Sequence, residues 1–204
     1  MLGILASNLQ AQIFADYFNR ADSALTLGAS GSGHAYGTPF NDSPGATPPV
    51  FGISSGKGYV ATEGDDSGMV FTAALLTGNI DFSFDLTWVT GANFGIACRG
   101  NGTATRAGAR HYMCRISTNL ALFSYDGTGY TSLGTYAFSP ADGTTYSLRI
   151  KAVGSAIEVF LDGTSRIAVT NADHAGTCLG LRTGNNAGTP AAGKRWDNFV
   201  AKVA

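Results

Sequence analysis

Between Ile80 and Trp88 every second residue is apolar and every residue between is polar: Ile80-Asp81-Phe82-Ser83-Phe84-Asp85-Leu86-Thr87-Trp88. A period of two puts the apolar set on one face of a strand and the polar set on the other. Tyr146-Ser147-Leu148-Arg149-Ile150-Lys151 repeats the pattern, and Ile157-Glu158-Val159-Phe160-Leu161 follows it more loosely. Further apolar runs cover 68–75, 93–99, 110–117, 119–125, 166–170, 177–183 and 195–203. Asn101-Gly102, Asp126-Gly127, Asp142-Gly143 and Asp162-Gly163 punctuate them with pairs that tolerate the positive φ of tight turns. Asp162-Gly163, set between two apolar runs, marks the clearest hairpin. No stretch carries a capped 3.6-residue period. Many short antiparallel strands at this spacing predict an all-β chain, an antiparallel β-sandwich of jelly-roll type.

Two regions fall outside the rhythm. Residues 1–13, with Leu2, Ile4, Leu5 and Leu9, read as an N-terminal arm that precedes a single domain over 14–204. Residues 28–56 hold Gly31, Gly33, Gly37, Pro39, Pro44, Gly45, Pro48 and Pro49, and proline and glycine at this density predict a long loop. Loops of that length are usually functional or disordered. The arm residues Leu2, Ile4, Leu5 and Leu9, with Pro44, Pro48 and Pro49 of the loop, are the candidate assembly contacts.

The two ends carry the most specific sequence. Asp16-Tyr17-Phe18-Asn19-Arg20-Ala21-Asp22-Ser23 is followed by Leu27-Gly28, and the chain closes on Trp196-Asp197-Asn198-Phe199. Between them stand Phe51-Gly52-Ile53, Gly56-Lys57-Gly58-Tyr59 and the run from Tyr146 through Asp162-Gly163. This order resembles the concanavalin A-like lectin/glucanase (laminin-G-like) jelly-roll modules over roughly residues 14–203. More narrowly it is similar to the versions found in bacteriophage virion proteins, including head-decoration and tail proteins. One departure stands out: related modules often carry Trp before Gly-Ile where this chain has Phe51, after a shorter loop. The resemblance places Phe18 and Phe199 in the core, and alternation places Trp88 and Trp196 there as well.

Composition narrows the function classes. The 204 residues carry a net charge of −1, which argues against a nucleic-acid partner that needs its phosphates neutralised. Only 13% of residues are charged and 28 are glycine, so the surface is dressed in small polar groups, as suits subunits that assemble or a neutral extracellular module. No run approaches the roughly 18 apolar residues of a membrane span, and no basic residue precedes Arg20 as a secretory signal would require. A chain made in a cytoplasm is the expectation. Cys98, Cys114 and Cys178 form no CxxC or Cys/His cluster, so zinc is not expected. They read as buried free thiols, with a Cys98–Cys114 bridge as the alternative.

Catalysis finds little support. Glucanases on the resembled scaffold use a Glu-x-Asp-x-x-Glu strand, whereas this chain has only Glu63 and Glu158, neither in such a motif. His34, His111 and His174 lack ligand spacing and read as solvated or locally hydrogen-bonded imidazoles. Ser30-Gly31-Ser32-Gly33 is loop rather than a nucleophile elbow, and Gly52 to Gly58 does not follow phosphate-binding spacings. Asp65-Asp66 and Asp173 offer oxygen atoms to calcium, but aspartates also favour turns, and no metal or cofactor is expected. For a glycan, the candidate residues are Arg99, Arg110, Tyr112, Tyr125 and Tyr130, the tyrosines as a stacking platform and the arginines as donors.

The resemblance, the low charge, the loop and the arm together lead to a non-enzymatic virion structural protein. It would be a capsid decoration or minor head or tail subunit, bound to the major capsid or other virion proteins as a homo-oligomer such as a trimer. The alternative is a carbohydrate-binding adhesion module that recognises a cell-surface glycan.

Overall fold

The alternation between Ile80 and Thr87 does become a strand whose residues are in turn buried and half-buried along its whole length. It is one of fifteen in the computed structural model, which describes residues 11–41, 46–64, 68–184 and 193–204. In chain order they are β1 (Gln12–Asp16), β2 (Phe40–Asn41), β3 (Val50–Ser54), β4 (Lys57–Thr62), β5 (Gly68–Phe71), β6 (Ile80–Thr87), β7 (Phe94–Gly100) and β8 (His111–Ile116). There follow β9 (Leu120–Tyr125), β10 (Tyr130–Tyr136), β11 (Thr145–Val153), β12 (Ala156–Leu161), β13 (Thr164–Thr170), β14 (Cys178–Thr183) and β15 (Arg195–Val203). No helix occurs among the described residues. The first sheet runs β13-β12-β11-β6-β15-β4-β3, with β1 also paired to β15; the second runs β10-β9-β8-β7-β14-β5-β2. Every pairing is antiparallel.

The sheets face each other across one apolar layer. Phe82, Phe84, Leu86, Leu148 and Ile150 from the first meet Ile96, Tyr112, Cys114, Leu122 and Leu181 from the second. Each large side chain fully withdrawn from water contributes about 1.5–3 kcal/mol. Trp196 is fully buried and Trp88 nearly so, as alternation requires, and Phe199 is also fully buried, within the bulge between Asp197 and Val200. Asp162-Gly163 makes the two-residue β12–β13 turn, with φ of 48° and 76°. Both residues thus take the positive φ that twists a hairpin correctly.

The end motifs explain themselves here. β1 and β15, the first and last strands, are neighbours, and Asp16 lies opposite Phe199. The Asp16 carboxylate is fully buried and receives a bidentate pair from Arg20, at 2.6 and 2.9 Å, plus the Phe18 N–H and the Tyr36 hydroxyl, each at 2.9 Å. Phe18 turns back at φ 52°, and its ring joins the core beside Phe14, whose ring packs on Phe199. A buried charge needs such a full set of partners. Burial and the Asp16 carboxylate both push the Tyr36 phenol well above its ordinary range.

The structure corrects several expectations. Gln12 and Ile13 belong to β1, so the sheet begins inside the segment assigned to the arm. The stretch 28–56 is not one loop: it contains β2 and β3, and isolated bridges join Ser23 to Ile53, Ala29 to Ala35 and Tyr36 to Thr72. Gly52 within β3 marks close backbone approach: a Cβ there would strike the Ser23 carbonyl. Pro48 is exposed and Pro49 is buried. Leu2, Ile4, Leu5, Leu9, Pro44 and Asp65-Asp66 lie outside the described residues. The three cysteines are free and buried. Cys98 faces Tyr112 and Cys114 faces Ile96, so no bridge forms, and burial pushes the Cys98 thiol up to about 12.

Candidate functional site

Antiparallel strands bring one set of ends together. The end of β7, the starts of β6, β8 and β14, the end of β9 and the β11–β12 turn all meet at one end of the sandwich. Two adjoining hollows open there, of about 330 and 550 Å³, and Arg99, His174 and Ala175 line both. The smaller is completed by Thr77, Gly78, Asn79, Gly154 and Ala172. The larger is completed by Asn101, Arg110, Ser124, Asp126, Asp173 and Gly176.

Arg99 sits where alternation fails. The β7–β14 register slips between Cys178 and Gly180, and Arg99 has φ 51° in the left-handed region. A bulge re-aims a side chain, and a non-glycine residue in this conformation costs about 1–2 kcal/mol. The re-aimed guanidinium crosses to the other sheet. Its Nε donates to Gly78 O at 2.9 Å, its Nη1 to Gly154 O at 2.6 Å and its Nη2 to Asn79 Oδ1 at 3.2 Å. Only 5% of the residue is exposed. Gly176 and Gly100 meet backbone to backbone beside it, where a Cβ at Gly176 would strike the Gly100 carbonyl.

Arg110 donates from Nη1 to Ala107 O at 3.0 Å and to Ala109 O at 2.8 Å. It lies against Gly127, whose φ of 90° and lack of a Cβ leave it room. Asn101 braces the same corner, accepting from Arg110 N at 3.1 Å and donating to Gly108 O at 2.8 Å. Asp126 accepts from Thr128 N, Thr128 Oγ1 and Gly129 N, all on Oδ1. These bonds, foremost those from Thr128, hold its exposed carboxyl well below the usual carboxylate range.

Behind them stands a relay from the β13–β14 connection. Ser124 Oγ donates to Asp173 Oδ2 at 3.1 Å and shares a 2.9 Å bond with His174 Nε2. A hydroxyl has one proton and a carboxylate only accepts, so His174 Nε2 carries the proton of the second bond. Burial lowers the His174 imidazole from its ordinary value, which keeps it neutral. The His174 N–H donates to the Tyr112 hydroxyl at 3.1 Å, and that hydroxyl donates to Asn171 Oδ1. Tyr112 is the floor of this end, fully buried, with its ring 4.7 Å from that of His174.

The five glycan candidates therefore separate. Arg99 and Arg110 line the cleft, and Tyr112 supports it from below. Tyr125 and Tyr130 lie on the other face of the second sheet, with ring centroids 4.5 Å apart beside His111. Tyr125 follows Ser124 directly, and neighbours along a strand point to opposite faces. The tyrosines form no exposed platform: Tyr112 and Tyr125 are buried. Sequence reading missed Asn101, Ser124, Asp126 and His174 as site residues. Their signal was position, since each flanks a strand end or a Gly-containing turn at the same pole. His34 bonds Ser32 Oγ at 3.0 Å and His174 bonds Ser124, as expected of local imidazoles. His111 departs from that expectation: it is fully buried, and neither ring nitrogen has a partner among the described residues. No group of three metal-ligating side chains occurs among the described residues.

No family model matches the chain, and no curated protein matches it in sequence. Solved structures do match in shape. Carbohydrate binding module CBM66 from Bacillus subtilis superposes with a TM-score of 0.62 at 15% identity, over 78% of this chain and 95% of that one. Domain 4 of a GH43 extracellular arabinanase from Geobacillus stearothermophilus, in complex with arabinotriose, gives 0.59 at 10%, over 96% and 93%. Bacillus licheniformis β-glucanase gives 0.59 at 10%, over 95% and 99%. At these identities the likeness is one of fold, and the fold of this chain is the antiparallel jelly-roll sandwich of concanavalin A-like type.

Proposed function

We propose that this protein is a non-catalytic carbohydrate-binding module and that its glycan occupies the cleft at the pole of the sandwich. The observation that carries this is the convergence in one open cleft of Asn101, Arg110, Asp126 and Asp173, donors and acceptors brought together from separate connections. Sugar hydroxyls both donate and accept, so a cleft that mixes guanidinium, amide and carboxylate groups matches them. The fold it shares with a carbohydrate-binding module and with an arabinotriose-bound domain supports the reading by analogy.

The absence of catalysis is also our reading. Glu158 is on β12 and Glu63 just follows β4, four strand positions away in the first sheet. At about 4.8 Å per strand that is roughly 19 Å, beyond the roughly 5–10 Å that a carboxylate pair needs. Asp126 is held ionised and cannot serve as the proton donor. The virion role rests on the resemblance, the low charge, the loop and the arm, and the end motifs that carry the resemblance, with Asp16, Phe18, Arg20 and Phe199, build the buried junction of β1 and β15. They speak to folding in any setting, and none of the structures named above is a virion component.

A glycan array followed by calorimetry tests the proposal. Arg110→Gln and Asp126→Asn should each weaken the best ligand at least about tenfold, as loss of a charged hydrogen-bonding group does, while circular dichroism stays unchanged. An array without hits, or variants that bind like the parent, would defeat it.

A further inference from the structure

We propose that the cleft selects acidic glycans, with a sugar carboxylate seated in the smaller hollow against Arg99. This rests on the carbohydrate-binding reading and specifies its ligand. Arg99 is a buried cation without a counter-ion: the ion pairs among the described residues join Arg20 to Asp16, Lys57 to Asp197 and Arg149 to Asp81. Its three bonds go to two carbonyl oxygens and one amide oxygen. A guanidinium carries five N–H donors in a planar fork, so two remain for a ligand. Buried cations are ordinarily paired with an anion, and the planar fork suits a carboxylate best.

The surroundings agree. Thr77, Asn79, Gly154, Ala172 and His174 line the smaller hollow with Arg99, and no carboxylate is among them. His174 is neutral there and donates its ring proton to Ser124, so it neither repels nor replaces the anion. Both carboxylates of the cleft, Asp126 and Asp173, belong to the larger hollow. The cleft is therefore divided: a positive end without acceptors of its own charge, and a mixed end suited to hydroxyls. Backbone strain points the same way. Arg99 holds a left-handed conformation that leucine or valine would rarely adopt, and such outliers gather where a side chain must be aimed.

The test compares an oligogalacturonide with its methyl ester, in which a methyl group caps the carboxylate and removes its charge, by calorimetry at low and high salt. The acid should bind at least about tenfold more tightly, and the preference should shrink as salt rises. Thr77→Asp supplies the contrast. An aspartate keeps the acceptor that caps Asn79 N, at 3.0 Å in the parent, and adds one negative charge to the smaller hollow. It should abolish the preference for the acid. Arg99→Lys, which keeps the charge and loses the fork, should fall between. Equal binding of acid and ester, or a Thr77→Asp variant that still prefers the acid, overturns this inference while the carbohydrate-binding reading stands. An array without any glycan hit overturns both.

Discussion

In the first sheet, β6 and β11 alternate between buried and more exposed residues along nearly their whole length. In the second sheet that rhythm is gone: β7, β14 and β5 are buried at every position, and β8 and β9 at all but one. Both sheets present the same apolar face to the shared core. They differ on the other side, where the first carries Asp81, Ser83, Arg149 and Lys202 around a shallow hollow. The second carries Met69, Phe71, Ala97, His111, Met113 and Tyr125, each no more than 3% exposed. A polar group on the first sheet meets water, whereas on the second it must find a partner or remain neutral. His111 remains neutral, since burial lowers its imidazole to about 3.

That contrast can be broken most forcefully through His111. Unfolded, the imidazole takes a proton near pH 6.5; folded, it refuses one until about pH 3. Its folded value is depressed, so the unfolded chain binds more protons in this window and stability falls as pH drops through it. The loss should be about 1.4 kcal/mol per pH unit and roughly 5 kcal/mol across the window. Urea melts from pH 7.5 down to 4.5 measure it. His111→Phe should flatten the slope; a variant as acid-sensitive as the parent would assign the loss to other groups.

A smaller effect sharpens the same difference by volume. Ala97→Leu inserts three carbons beside Phe71 on the second sheet's far face and should cost about 1–3 kcal/mol through overpacking. If thermal unfolding shows it neutral, that face is looser than its burial implies. The smallest effect belongs to the first sheet. Ser83→Val, on the half-exposed side of β6, should change stability by no more than about 0.5 kcal/mol. A larger loss there would mean that the polar face is packed against something in solution.

Legibility in the sequence followed the same division. In the first sheet β6, β11 and β12 could be read directly, because one wet face and one dry face write a period of two into the chain. Gly95-Ile96-Ala97-Cys98 and Met113-Cys114 belong to strands dry on both faces, and such strands read as apolar runs with no preferred side. So Tyr112 and Tyr125 could be placed on strands but not on faces, and they were grouped as one platform although their rings lie on opposite sides. The cleft was harder to see. Arg99 stands among the candidate glycan donors in the sequence, but only the bulge at the β7–β14 pairing turns it toward Gly154 and Gly78.

By itself the sequence determined ten strands, β5 to β9 and β11 to β15, the Asp-Gly and Asn-Gly turns, the buried tryptophans and an all-β sandwich. These follow from local physics, since alternation and turn conformation depend on residues a few positions apart. Only the tertiary structure decided that Pro49 is buried and that Arg99, Arg110, Asp126 and His174 share one pole. Those residues lie up to 75 positions apart in the chain. What joins them is strand order and register, which the whole core sets at once.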